Sequence, residues 1–172
     1  MTDPPEEILR RNLWQALGLL FPGTIISYRT ALEHRPGRDG TVFLTGSYNR
    51  RVELPGMHVV LVRGPGPLVG DVPLVQPLWY ASHARAFLES LRPSRTRKGI
   101  ARGVRRREIE ARVEHILQTG GASELNALRD QARAIASPLG AEHEYRVLDD
   151  IIGTLLGTRA VDLRTTGDSR AS

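Results

Sequence analysis

The chain has 172 residues and no cysteine, with 40% hydrophobic and 25% charged residues. This is the make-up of an ordinary globular protein that can bury a core without cross-links, and it excludes a disulfide scaffold, a thiolate zinc site and a cysteine nucleophile. The net charge of +5 comes with only 5% aromatic residues, too few for an extended base-stacking surface.

Residues 1–7 are acidic and hold two prolines, which does not read as a secretory leader. No apolar run approaches the roughly 20 residues of a membrane-spanning helix, so no membrane role and a cytoplasmic location are expected. Asp3 as cap, Pro4 at the first helical position and Glu6 three residues after the cap predict a helix carrying Leu9, Leu13, Ala16, Leu17 and Leu20 on one side. Pro22-Gly23 stops it. Residues 24–33 allow a strand at their start or a short helix capped by Ser27 and running through Leu32; the helix is preferred. A loop from His34 to Gly40 leads to strands at 41–45, 51–54 and 57–62, the last apolar enough to be central. Residues 64–77, with three glycines and four prolines, form an irregular edge or short strands and no helix. A helix returns at 81–91.

Beyond residue 104 the apolar period is helical throughout. Residues 105–118 place Ile109, Val113, Ile116 and Leu117 on one face, and Gly120-Gly121 ends the helix. Residues 123–136 follow, ended by Ser137-Pro138, and then 141–156. From Val161 the chain is polar and reads as a frayed, disordered tail. The expected fold is therefore α+β: a small, mostly antiparallel sheet with flanking helices in residues 1–91, a basic linker at 92–107, three helices in 108–160 and a tail at 161–172.

Charge is unevenly spread. Residues 92–107 hold eight basic residues and no acidic one, against nine basic and eight acidic in 1–91, and seven basic and eleven acidic in 108–172. All basic residues except Lys98 are arginine along the whole chain, which GC-rich coding produces, so the clustering is the signal rather than the arginine bias. Pro93, Gly99 and Gly103 interrupt the cluster and predict a flexible strap. Arg95, Arg97, Lys98, Arg102, Arg105, Arg106 and Arg107 are the candidate nucleic-acid-binding residues, able to neutralise phosphates without reading sequence. Arg105 to Arg107 open a helix, where the macrodipole disfavours cations, and this too points to an anionic partner. Two other readings of the strap are a solvated linker and a segment pinned by Glu108, Glu110, Glu114, Asp149 and Asp150.

No other motif carries chemistry. His34, His58, His83, His115 and His143 have no metal-ligand spacing and read as isolated histidines. In Gly64-Pro-Gly66-Pro-Leu-Val-Gly70 two prolines remove the N–H groups that a phosphate cradle presents. Glu110 and Glu114 lie off the apolar stripe among arginines, as on a solvated helix face. No catalytic residue, metal site or cofactor is expected.

The run Phe21-Pro-Gly-Thr-Ile-Ile-Ser-Tyr-Arg-Thr-Ala-Leu-Glu33, then Asp39-Gly-Thr-Val-Phe-Leu-Thr-Gly46 and Val52-Glu-Leu-Pro-Gly56, resembles the body of abortive-infection-type (AbiEi-like) antitoxins of bacterial type IV toxin–antitoxin systems. It is also similar to the N-terminal region of long bacterial Fic-family proteins. There, segments like Pro93-Ser-Arg-Thr-Arg-Lys-Gly99 and Ile152-Gly-Thr-Leu-Leu-Gly-Thr158 lead toward the Fic domain. The resemblance spans about residues 6–159. The Fic signature His-Pro-Phe-x-x-Gly-Asn-Gly-Arg is absent, and only one helix precedes Phe21 where the antitoxins open with a winged helix, so no catalytic or DNA-reading residue is carried over. The resemblance implies a non-enzymatic, antitoxin-like regulatory module. Its partners would be nucleic acid, DNA ahead of RNA, and a cognate toxin or other partner protein. The alternatives are a non-catalytic N-terminal fragment of a Fic-family AMP-transferring enzyme and a structural interaction domain.

Overall fold

Two prolines, an asparagine and a run of apolar residues shape the first turns of the chain. In the computed structural model, which describes residues 3–94 and 99–168 with side chains through residue 158, α1 (Pro5–Arg11) starts one residue later than Asp3 would have it. Pro4 takes the N-cap position and Pro5 the first helical one, where a missing N–H costs nothing. Asp3 instead accepts a hydrogen bond from Arg11 at 2.8 Å. The single predicted helix is divided at Asn12, whose side chain donates to the Ile8 carbonyl at 2.9 Å and so competes with the helical ladder. α2 (Leu13–Leu20) follows and buries Leu17.

Both readings of residues 24–33 are realised in succession. β1 (Ile25–Ile26) is a fully buried strand and α3 (Tyr28–Glu33) begins directly after Ser27. Ser27 sits at the N-cap, yet its hydroxyl bonds Thr45 Oγ1 at 2.7 Å and no helical N–H. β2 (Thr41–Gly46), β3 (Arg50–Leu54) and β4 (Met57–Arg63) are the expected strands. The glycine- and proline-rich stretch ends in a short edge strand, β5 (Val72–Val75), which returns as β6 (Leu78–Tyr80). Three residues are too few to display an alternating pattern, which is why β6 was not foreseen.

The sheet order is β3-β4-β2-β1-β6-β5. Three pairings are antiparallel and two, β2 with β4 and β1 with β6, are parallel, so the sheet is mixed and mostly antiparallel. The two edges differ. β3 carries Arg50, Arg51 and Glu53, charges that discourage edge pairing, whereas β5 exposes Val72 and Leu74 beside exposed Leu19, Leu20 and Val69.

α4 (His83–Leu91) is capped by Ser82 and packs against α3. The remaining helices are α5 (Arg106–Leu139) and α6 (Glu142–Asp168). Within α5, Gly121 has φ 78° and ψ −176°, a conformation open in practice only to glycine, so the helix breaks where Gly120-Gly121 is expected to end it, and α5 is two helical stretches joined across this kink. Pro138 lies in its last turn, and the helix closes at left-handed Gly140 instead of at Ser137. No proline follows Pro138, and α6 runs on through residues 161–168 of the tail expected at 161–172 to be frayed; residues 169–172 lie outside the described residues. The fold is thus α+β with a C-terminal helical segment. One apolar cluster reaches from Leu17, Val42 and Leu61 through Phe87 to Ile109, Leu125, Leu148 and Ile152. No helix among the described residues is long and apolar enough to cross a membrane.

Candidate nucleic-acid interface

Successive side chains of a strand point to opposite faces, and β2 and β4 divide accordingly. Val42, Leu44, Val59 and Leu61 enter the main core. Phe43, Val60 and Val62 face the other way and form a second, smaller cluster with Tyr28 and Ile100. Ile100 belongs to the basic strap, so the described part of the strap around it lies over this second face.

The described parts of the strap are fastened, in contrast to the flexible segment expected. Arg29 of α3 does most of the fastening. Its backbone N–H donates to the Arg102 carbonyl at 3.0 Å, its Nε to Ala101 O at 3.1 Å and its Nη2 to Gly103 O at 3.0 Å. Glu33 steadies the same guanidinium at 3.0 Å. Val104 donates to the Ser90 carbonyl at 2.9 Å. Gly103 permits that approach, because a Cβ there would lie 2.7 Å from Ser90 O and 2.9 Å from Arg92 O. At the other end, the Arg92 guanidinium donates to the carbonyls of Leu139 and Gly140, where the negative end of the α5 dipole welcomes a cation. Gly103 signalled a break in helix, but in the folded chain it serves as a point of close backbone contact.

Three of the candidate residues, Arg95, Arg97 and Lys98, lie outside the described residues. Arg102 is half-buried, with its guanidinium 5.3 Å from the centre of the Tyr28 ring. Arg105 is exposed, and its backbone N–H donates to Glu108 Oε2 at 2.8 Å, which caps α5. Arg106 pairs with Glu110 at 2.9 Å and Asp150 at 3.2 Å, contacts that hold its pKa above the usual arginine range. These pairs are solvent-exposed, so phosphate can compete for the guanidinium. Arg107 is exposed and, like the Arg105 guanidinium, meets no carboxylate at ion-pair distance among the described residues. The expected pinning by acidic helices therefore applies to Arg106 alone of the four described.

Sequence reasoning missed the arginines that the fold brings beside the strap. Arg51 of β3 joins Arg102, Ser94 and Pro93 around a cavity of about 400 Å³. Arg35 and Arg38 join Arg29 and Ile100 around another of about 550 Å³. These residues belong to a stretch of nearly balanced charge, so a count along the chain conceals them.

A buried polar network supports this face from behind, and it too went unread. Arg85 of α4 pairs with Asp71 at 2.6 Å and Glu89 at 3.0 Å, and donates to the carbonyls of Pro65 and Gly66 at 2.9 Å. All three charged side chains are essentially inaccessible to solvent. Asp71 also accepts from the N–H groups of Leu68 and Ser82. Burial opposes the charge on Arg85, but Glu89 and Asp71 outweigh it and keep its pKa high. Burial pushes Glu89 up, with Arg85 opposing. Glu89 further accepts from the N–H of Tyr28, a buried residue held at φ 52°, where non-glycine backbones are strained. The one signal in the sequence was an Arg-Glu pair four residues apart on a mostly apolar helix.

Among the described residues no group of three or more histidines, aspartates and glutamates could hold a metal ion. Compared with known proteins, the chain matches no family model, no curated protein and no solved structure, so its own geometry carries the functional reading.

Proposed function

We propose that this chain is a non-enzymatic, antitoxin-like regulatory module of the cytoplasm that binds a polyanion, double-stranded DNA ahead of RNA, through the basic residues of 92–107. The observation that carries the reading is the combination of a fastened backbone with unsatisfied charge. Arg29, Ser90 and Ile100 hold the strap on the sheet face, while Arg105 and Arg107 have no carboxylate of the protein at ion-pair distance among the described residues. Cations held on a fixed frame lose little freedom when phosphate arrives, and Arg35, Arg38 and Arg51 widen the same field. The cluster at the start of α5 also opposes the helix dipole, a cost that a bound anion relieves.

Titration of a labelled DNA duplex between 50 and 200 mM salt tests this. Affinity should fall steeply, with a log–log slope that drops by about 0.9 for each phosphate contact removed. Arg105→Ala, Arg106→Ala and Arg107→Ala together should flatten it by up to about 2.7. Binding that ignores salt, or no binding at 50 mM, refutes the proposal.

A second reading rests on the uncharged edge. Leu19 and Val69 are 82% and 85% exposed beside the β5 margin, an apolar surface suited to a partner protein such as a cognate toxin. Retained partner binding by a chain that never binds nucleic acid would favour it.

A further inference from the structure

Between the fastened strap and the sheet lies a cleft of about 320 Å³, at the small end of ligand pockets, which run to about 1,000 Å³. Its lining is mixed in a specific way. Phe43 and Val60 supply apolar surface from the sheet, and Ile100 supplies it from the strap. Arg51 stands at the rim and also lines the neighbouring cavity with Arg102, so it joins the cleft to the strap's own arginines. Asp39 lines the cleft too. Its Oδ1 accepts the Thr41 N–H at 3.0 Å, and its Oδ2 faces Gly99. Burial works against its charge, but the hydrogen bonds from Thr41 prevail and keep its carboxyl below the usual range, so it is ionised at neutral pH. His58 and Glu53 are hydrogen-bonded to each other at the margin.

A bare phosphate does not suit this lining, because Asp39 and Glu53 repel it. A purely apolar ligand would leave Arg51 unanswered and give the Asp39 carboxylate nothing beyond the Thr41 hydrogen bonds it already has. The lining calls for a flat ring that offers adjacent N–H donors at one edge and an anion at the other end. Guanine has two such neighbours, N1–H and the N2 amino group, which a carboxylate can accept together, whereas adenine sets its amino group beside an acceptor nitrogen. We propose that this cleft takes an unpaired guanine nucleotide. The base lies among Phe43, Val60 and Ile100, its N–H edge is on Asp39 and its phosphate is on Arg51. The inference deepens the polyanion reading and rests on it where the guanine is carried by a nucleic-acid strand; the same chemistry is offered by free GMP.

The experiment measures anisotropy of three labelled probes on the intact chain: a blunt duplex, the same duplex ending in one unpaired guanine, and the same ending in one unpaired adenine. GMP and AMP serve as competitors. The guanine end should bind about fivefold to a hundredfold more tightly than the adenine end, as for a carboxylate or guanidinium reading a base edge. Asp39→Asn keeps the acceptor for Thr41 but loses the paired acceptor for guanine. It should erase the guanine-to-adenine ratio while leaving the salt slope on the blunt duplex intact. The ratio is the readout because removal of a negative charge alone strengthens binding to every probe. Ile100→Ala, which takes away one wall, should lower the ratio independently. Competition by GMP and not AMP identifies free nucleotide as a sufficient ligand; a guanine-end preference that millimolar GMP leaves untouched identifies the strand-borne base. Salt-dependent binding with equal affinity for all three probes overturns the inference and spares the polyanion reading. GMP binding without duplex binding does the reverse, and binding of no probe and neither nucleotide overturns both.

Discussion

Arg85 offers the sharpest test of how this fold is supported. Among the described residues it is the only cation paired with two carboxylates, Asp71 and Glu89, that are as inaccessible as itself. Arg85→Met keeps most of the side-chain volume and removes the charge, leaving both carboxylates buried and unpaired. Breaking a buried ion pair in this way costs about 3–5 kcal/mol. For a chain of this length, each kcal/mol moves the melting temperature by about 2–4 °C, so a drop of about 6–20 °C is expected. Urea unfolding at several pH values sharpens the test. Glu89 titrates above its ordinary range in the fold, so in the window between those values the folded state holds more protons than the unfolded one. Stability from this group is therefore present at low pH and is lost as pH rises through the window. Without Arg85 the carboxyl is raised further, and the deficit should be smallest at the acid end of the series and deepen as pH rises. Asp71→Asn with Glu89→Gln in the same chain should recover part of the loss. A deficit below about 1 kcal/mol, or one that is flat with pH, refutes the reasoning.

Other expectations follow from single positions. Gly103→Ala drives a Cβ into two backbone carbonyls, so it should cost about 1–3 kcal/mol in urea unfolding and raise tryptic cleavage at Arg102, whereas an unchanged digestion pattern would mean that the strap is not held there. Gly121→Ala forces a side chain into a glycine-only conformation and should cost about 1–3 kcal/mol; a neutral effect would show that the kink can straighten. Burial, with lesser pushes from His34 and Arg112 against a pull from Glu124, holds His83 below its ordinary pKa. The unfolded chain then binds that proton more readily, so the contribution of His83 is complete above about pH 6.5 and is lost as pH falls through the lowered value. His83→Gln should remove this acid-side slope from the stability profile, and a profile that keeps it assigns the slope elsewhere.

Length and period made much of the architecture legible. The stripe of Ile109, Val113 and Leu117, and that of Leu125, Leu128 and Ile135, mark faces that are buried in the fold. Val42, Leu44, Val59 and Leu61 alternate with Phe43 and Val60 as paired strands require. Features made by neighbours distant in sequence were hidden. β1 and β6 are too short to carry a period and exist through their partners. Whether Arg29 is a surface cation or a clasp on Ala101 and Gly103 depends on a chain crossing that no local window contains. The same holds for Arg51 and Asp39, which look like scattered charges until β2, β3 and the strap meet. The cluster at 92–107 could be read as positive charge because charge is counted residue by residue, but its attachment could not.

One consequence of the shortest strand reaches beyond its size. β1, two residues long, is the seam between the β3-β4-β2 half of the sheet and the β6-β5 hairpin. α3 leads onward from the seam strand itself and α4 from the β6 hairpin, and the strap is tied to both helices, at Arg29 and at Ser90. It therefore braces the joint from outside, like a splint across a narrow suture. A molecule that grips the strap stiffens the suture as well, and slowed exchange of the Trp79 and Ala81 amides, which donate to the Thr24 and Ile26 carbonyls, would register its arrival.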